Sequence, residues 1–146
     1  MKIKNILLAT TTAIALSISA IASAADHKIK AGARAFEIEV LYVAVGDKVG
    51  FTNMNSHNTV SVDGLIPEGA EAWRSGMGEN LGLSMDVPGI YSYVCEPHIG
   101  FGMVGVIVVG DITQADIDAY KQKAMDTLKG PWRRLLGKIN KIKPTV

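Results

Sequence analysis

Residues 90–109 read Ile90-Tyr91-Ser92-Tyr93-Val94, then Cys95-Glu96-Pro97-His98-Ile99-Gly100-Phe101-Gly102-Met103, then Val104-Gly105-Val106-Ile107-Val108-Val109. The two flanks are aromatic and β-branched, the composition of strands. The centre holds a proline and two glycines, so it reads as a tight loop. That loop carries a thiol, an imidazole and a thioether, and Cys95 is the only cysteine in the chain. Two strands meeting at such a loop predict a β-structure with a chemical site at one rim.

Working outward, the pattern of strands continues upstream. His27 to Ala31, Phe36 to Val45, Lys48 to Phe51, Thr59 to Val62 and Leu81 to Val87 are further strand candidates. Gly46-Asp47 and Pro88-Gly89 are turn signals between neighbours. Asp63 to Gly78 is a long irregular stretch rich in Gly, Glu and Ala. About seven or eight short strands with Gly and Pro punctuation predict a β-sandwich over 25–110.

The period changes in the tail, 111–146. Thr113 and Asp116 have capping-box spacing, and Ile117, Tyr120, Ala124 and Leu128 follow at helical intervals. Gly130 closes that helix and Pro131 opens a second. Trp132, Leu135, Leu136, Ile139 and Ile142 form its apolar stripe, while Arg133, Arg134, Lys138 and Lys141 face elsewhere. The fold class is therefore mainly β, a sandwich followed by two C-terminal α-helices.

The N-terminus reads as an export signal. Lys2 and Lys4 precede an apolar run from Ile6 to Ile18, and Ala22-Ser23-Ala24 is a small-residue cleavage signal. Residues 1–24 are expected to be a Sec-type signal peptide, leaving 25–146 as the mature, periplasmic domain. An odd cysteine in an exported chain forms no internal disulfide, so it is buried, reactive or metal-bound.

Charge separates the two parts. Residues 25–109 carry five Lys/Arg against ten Asp/Glu, and residues 110–146 carry eight against four. A nucleic-acid binder needs a basic reading surface, which the acidic body lacks. The basic final helix reads first as a packing stripe with its charges in water, so a membrane surface is not expected as a partner.

His57 supplies a second imidazole upstream of the loop. One thiolate, two imidazoles and a weak thioether form the ligand set of a type 1, blue-copper electron-transfer centre. His57, Cys95, His98 and Met103 are the candidate ligands for one copper ion, cycling between Cu(I) and Cu(II). Zinc suits Cys and His but rarely takes Met in a structural site. A His-activated cysteine nucleophile needs an oxyanion pocket that nothing nearby supplies. The expectation is an electron carrier and no enzyme, with copper storage or delivery as the alternative.

His57-Asn58, Ile66-Pro67-Glu68-Gly69-Ala70-Glu71 and the run Cys95 to Met103 together resemble the pseudoazurin family of type 1 copper cupredoxins. The resemblance covers nearly all of 27–146, including the helical tail. It implies a Greek-key cupredoxin sandwich and a soluble, monomeric periplasmic carrier. Its partners would be redox proteins: a periplasmic reductase, a dehydrogenase or a cytochrome. It further implies that Asn58 ties the two ligand-bearing segments together, that Pro97 stiffens the approach to His98, and that Arg34 lies near the second histidine, where it could stack on that imidazole. Pro97, Ile99 and Phe101 would form an apolar docking patch. The family rings that patch with lysines; here Asn55, Gly76, Val94 and Glu96 stand nearby instead. That departure points to a neutral or basic partner. Cleavage after Ala24 would also expose Ala25-Asp26-His27, a possible square-planar Cu(II) set.

Overall fold

The computed structural model describes residues 23–146. The expected signal segment therefore lies, but for its last two residues, outside the described part. Among the described residues, seven strands form two sheets. β1 (Asp26–Lys30), β3 (Lys48–Thr52) and β5 (Leu81–Ser84) make a three-stranded sheet in the order β1-β3-β5. β2 (Val40–Val43), β4 (Val60–Ser61), β6 (Gly89–Val94) and β7 (Val104–Val109) make a four-stranded sheet in the order β2-β7-β6-β4. β1–β3 and β2–β7 are parallel pairs, and the remaining pairs are antiparallel. This is a mixed cupredoxin-like sandwich with C-terminal helices.

The pleat explains the sequence of the two central strands. Along β6, Tyr91 and Tyr93 face the inter-sheet core and Ile90 and Val94 face outward, each side buried. Along β7, Ile107 and Val109 point inward while Val104, Val106 and Val108 point outward. A strand buried on both faces reads as an unbroken apolar run, and all six residues of β7 are indeed buried.

The helical tail supplies the outer cover. α1 (Gln114–Thr127) starts at a reciprocal capping box, in which Thr113 and Asp116 each bond the other's backbone. Ile117, Ala124 and Leu128 are buried against the outer face, as the helical spacing predicts. The second helix differs from expectation: it opens as a 3-10 segment, Gly130–Arg134, and only Leu135–Ile139 is α-helical (α2). Its stripe still packs, with Leu135, Ile139 and Ile142 buried. Lys138 and Lys141 do not simply face water, since both ion-pair with Glu39 just before β2.

Three strand expectations were too long: Thr59 to Val62 is a strand only at Val60–Ser61, and two longer ones break. Phe36 to Val45 is interrupted because Phe36 bridges Ala31 while Val40–Val43 joins β7 in the other sheet. Leu81 to Val87 stops at Ser84, where Met85 bonds the Gly46-Asp47 turn (Met85 N–H to Asp47 O, 2.8 Å). Both segments must change sheets, so neither can remain one straight strand. A turn forms at Gly46 as expected, whereas the chain bends at Val87 and Gly89 already opens β6; both connections link strands of different sheets.

Candidate metal centre

β6 delivers Cys95 to the rim of the inter-sheet core, in pleat register with Tyr91 and Tyr93. The chain then tightens into a 3-10 turn, Glu96–Phe101, with Pro97 near its start. A proline fits there because its missing N–H would have no partner in the first turn. Gly102 closes the turn at φ 85°, a left-handed geometry that favours glycine. Backbone bonds cinch the loop: Cys95 N–H to Met103 O at 2.9 Å, His98 N–H to Cys95 O at 3.2 Å, and Met103 N–H to His98 O at 3.2 Å. Met103 is thereby carried back beside Cys95 and is fully buried.

His57 arrives from the loop between β3 and β4. Its N–H donates to Met54 O at 2.8 Å and its carbonyl accepts from Gly78 N–H at 2.9 Å. The imidazole is buried. Its Nδ1 lies 3.0 Å from His98 Nδ1 and 3.6 Å from Cys95 Sγ, and His98 Nδ1 lies 3.5 Å from the same sulfur. His57, Cys95 and His98 are thus a group able to hold a metal ion. The point equidistant from the three donor atoms is about 2 Å from each, the length of a metal–nitrogen bond. The donor set fits a bound ion.

Electrostatics agree with that use. Burial pushes the Cys95 thiol up, and the neighbouring Glu96 charge adds to the effect; backbone N–H groups of Asn58 and His98 directed at the sulfur oppose it. Burial pushes His57 down, reinforced by His98. Without a cation the site favours neutral groups. A metal would displace the thiol proton.

Asn58 does bridge the two segments. Its side-chain oxygen accepts from Glu96 N–H at 2.9 Å and its amide donates to the Glu96 carboxylate at 2.8 Å. The same carboxylate pairs with Arg74, a contact the sequence reading missed. Arg74 is held where it bridges Val60 from within the irregular stretch, and no local pattern marks that pairing. Arg74 and Asn58 hold Glu96 below the usual carboxylate range, Arg74 contributing first.

Arg34 requires a correction. Its guanidinium sits 4.6 Å from the centroid of Phe101, not on the His98 ring. Phe101 in turn lies 6.2 Å from His98, centroid to centroid. The guanidinium lies over the exposed Phe101 ring, while the neighbouring His98 imidazole is half-buried. The expected docking patch is also redrawn. Pro97 and Phe101 are exposed and His98 half-buried, whereas Ile99 turns toward the helix-side core. Arg134 lies against Gly102, so two arginines flank the loop despite the acidic composition of the body.

A two-sheet sandwich with a Cys and two His gathered at one rim defines the cupredoxin class. The family profile described as copper binding proteins, plastocyanin/azurin family, matches residues 23–110. The pseudoazurin of Paracoccus pantotrophus is 34% identical over 125 residues, covering 81% of this chain and 86% of that protein. A putative pseudoazurin of Rhizobium leguminosarum bv. viciae is 39% identical over 111 residues, covering 71% and 73%. The crystal structure of pseudoazurin from Hyphomicrobium denitrificans superposes with a TM-score of 0.67 at 26% identity, covering 81% of this chain and 98% of that one. The chain belongs to the plastocyanin/azurin family of copper-binding proteins, in its pseudoazurin branch. This kinship and the buried His–Cys–His group together fit a mononuclear copper electron-transfer site.

Proposed function

We propose that His57, Cys95, His98 and Met103 hold a single copper ion and that the protein is a periplasmic one-electron carrier, exported by residues 1–24. The observation that carries the reading is the convergence of two imidazole Nδ1 atoms and one thiol sulfur around a single point. When bound, copper supplies the Cu(I)/Cu(II) couple. The protein's part is to keep the donors still. Cys95 is fixed by its strand and by Met103 O, His98 by the 3-10 turn, and His57 by Met54 and Gly78. Asn58 and Glu96 lock the two segments to each other. Bonds of this kind orient ligands and tune a metal. Met103, buried beside Cys95, would offer a thioether as a weak fourth ligand and so help set the potential.

His98 is the exposed edge of the group, flanked by Pro97 and Phe101. Electrons leave through this face to a redox protein such as a reductase, dehydrogenase or cytochrome. A small apolar contact suits a complex that forms and separates quickly. The absorption spectrum of the oxidised, copper-loaded protein tests the reading. An intense thiolate-to-copper band toward the red end of the visible, lost in Cys95→Ser, is expected. A colourless oxidised protein overturns it.

A further inference from the structure

Asp47 sits in the turn between β2 and β3 and is buried. Three nitrogens converge on its carboxylate. Ala25 backbone N donates to Oδ1 at 2.8 Å, His27 Nε2 lies 2.8 Å from Oδ2, and Ala44 N–H donates to Oδ2 at 3.0 Å. These contacts hold the carboxyl below its ordinary range, the Ala25 N–H contributing most. The carbonyl of Ala25 accepts from Lys48 N–H at 2.9 Å. Both backbone groups of Ala25 are therefore held, while Ser23 and Ala24 are exposed before it. The hydrogen-bonded fold thus begins at the residue that follows Ala22-Ser23-Ala24. Two independent features, one of sequence and one of tertiary structure, meet at the same peptide bond.

We infer that the mature chain begins at Ala25, that Asp47 receives its α-ammonium group, and that this clamp keeps the Ala25-Asp26-His27 triplet from chelating Cu(II). Hydrolysis of the Ala24–Ala25 bond by a leader-removing protease consumes one water. The new carboxylate stays on Ala24, and the amine left on Ala25 takes up a proton at neutral pH. A single neutral donor then becomes a cation beside a buried anion, and charge-assisted hydrogen bonds are the stronger kind. The site requires no rearrangement, because the nitrogen already points at Oδ1.

The same geometry answers whether the triplet binds metal. A square-planar set needs the free amine, the next two amide nitrogens and the imidazole to converge. Here the amine position and the imidazole are both turned onto Asp47. Asp26 and His27 are paired with Lys48 and Val49 in the β1–β3 ladder. Successive residues of an extended strand point in opposite directions, so their nitrogens cannot converge on one ion. Chelation would require the first residues of β1 to leave the sheet, and the Asp47 contacts to Ala25 and His27 are what pin that end.

The inference about the cleavage point rests on the export reading, whereas the clamp can be tested on a recombinant chain starting at Ala25, so the two fail separately. N-terminal sequencing of protein recovered from the periplasm should begin Ala-Asp-His; another start overturns the processing step. Placing one glycine before Ala25, or making Asp47→Asn, should each lower the melting midpoint by about 3–6 °C for a chain of this size. Together they should cost little more than either alone, whereas additive losses overturn the receptor role. If Asp47→Asn fails to fold, NMR titration of the α-amine in the unextended chain decides instead. A pKa raised by about one unit above the usual α-amino value supports the clamp, and an ordinary value overturns it. With the buried site already copper-loaded, Cu(II) titration should show no second equivalent in the wild type. A folded Asp47→Asn chain should gain one that His27→Ala removes. Second-site binding by the wild type that depends on His27, or none in folded Asp47→Asn, overturns the shielding.

Discussion

The two faces of the four-stranded sheet are built from the same two strands but differ in kind. The inner face meets the second sheet through aromatic rings: Phe36, Phe51, Trp73, Tyr91 and Tyr93 pack there, and the row ends at Cys95 and Met103. Tyr93 makes edge-on contacts with Phe36 at 5.0 Å and Phe51 at 4.9 Å. The outer face is aliphatic, with Val104, Val106 and Val108 beneath Ile117, Leu128, Leu135 and Ile139. The inner face needs large rigid shapes, because it must hold a rim residue in a fixed place. The outer face needs only to be kept dry, which interchangeable branched side chains do well. One face fixes the site and the other holds the sheet together beneath it.

The largest break comes from uncovering the outer face. A chain ending after Gly110 leaves Val104, Val106 and Val108 in water, each about 1.5–3 kcal/mol short of its buried state. It should lose cooperative unfolding in circular dichroism and aggregate. An intact melting transition would show that the helices are dispensable. Next come single cavities. Ile139→Ala should cost about 2–5 kcal/mol in denaturant unfolding yet leave the thiolate band in place. Phe51→Ala should cost about 3–5 kcal/mol and also perturb the band, because it removes a ring packed against Tyr93. Equal spectral effects would erase the distinction between the faces.

A smaller effect sharpens the inner face. Among the described residues the buried Tyr93 hydroxyl has no hydrogen-bond partner, and a Cβ on Gly105 would come within 2.3 Å of it. Tyr93→Phe removes the orphan oxygen and should stabilise the protein by about 1 kcal/mol, read as a raised urea midpoint. The smallest effect tests the outer cover's ionic pin. Lys138 and then Lys141 hold Glu39 below its ordinary range. These are partly exposed groups, so Glu39→Gln should cost no more than about 1 kcal/mol at neutral pH. A depressed carboxyl stabilises the fold above its unfolded value of 4.5 and loses that contribution as pH falls through the folded one. The wild-type and Glu39→Gln melting points should therefore converge in acid.

Much of this was legible along the chain. The alternation of Tyr91, Tyr93 and Cys95 against Ile90, Ser92 and Val94 is a local period, and so is the spacing of Ile117, Ala124 and Leu128. The Thr113–Asp116 box depends on neighbours three apart and formed as read. The sheet assignments were not legible. Gly46-Asp47 and Pro88-Gly89 signal turns, but a turn does not say whether the chain returns to its own sheet. The Arg74–Glu96 and Glu39–Lys138 pairs join residues distant in sequence, and nothing in the neighbourhood of either partner announces the other. Arg34 could have stacked on His98 but lies over Phe101 instead, and which ring it meets depends on how separate loops pack.

By itself, then, the sequence determined the chemistry: one thiol, two imidazoles and a thioether, with Cys95, His98 and Met103 confined to one loop because they are near neighbours in the chain. Tertiary structure decided their convergence. His57 enters from another loop, and only the packing of the sandwich brings its Nδ1 to 3.0 Å from that of His98. The same holds at the other end of β1, where Asp47 gathers Ala25 and His27 across about twenty residues. Residue type and local spacing fix what a group can do; distances between remote segments depend on burial of the whole core, which no short window of sequence contains.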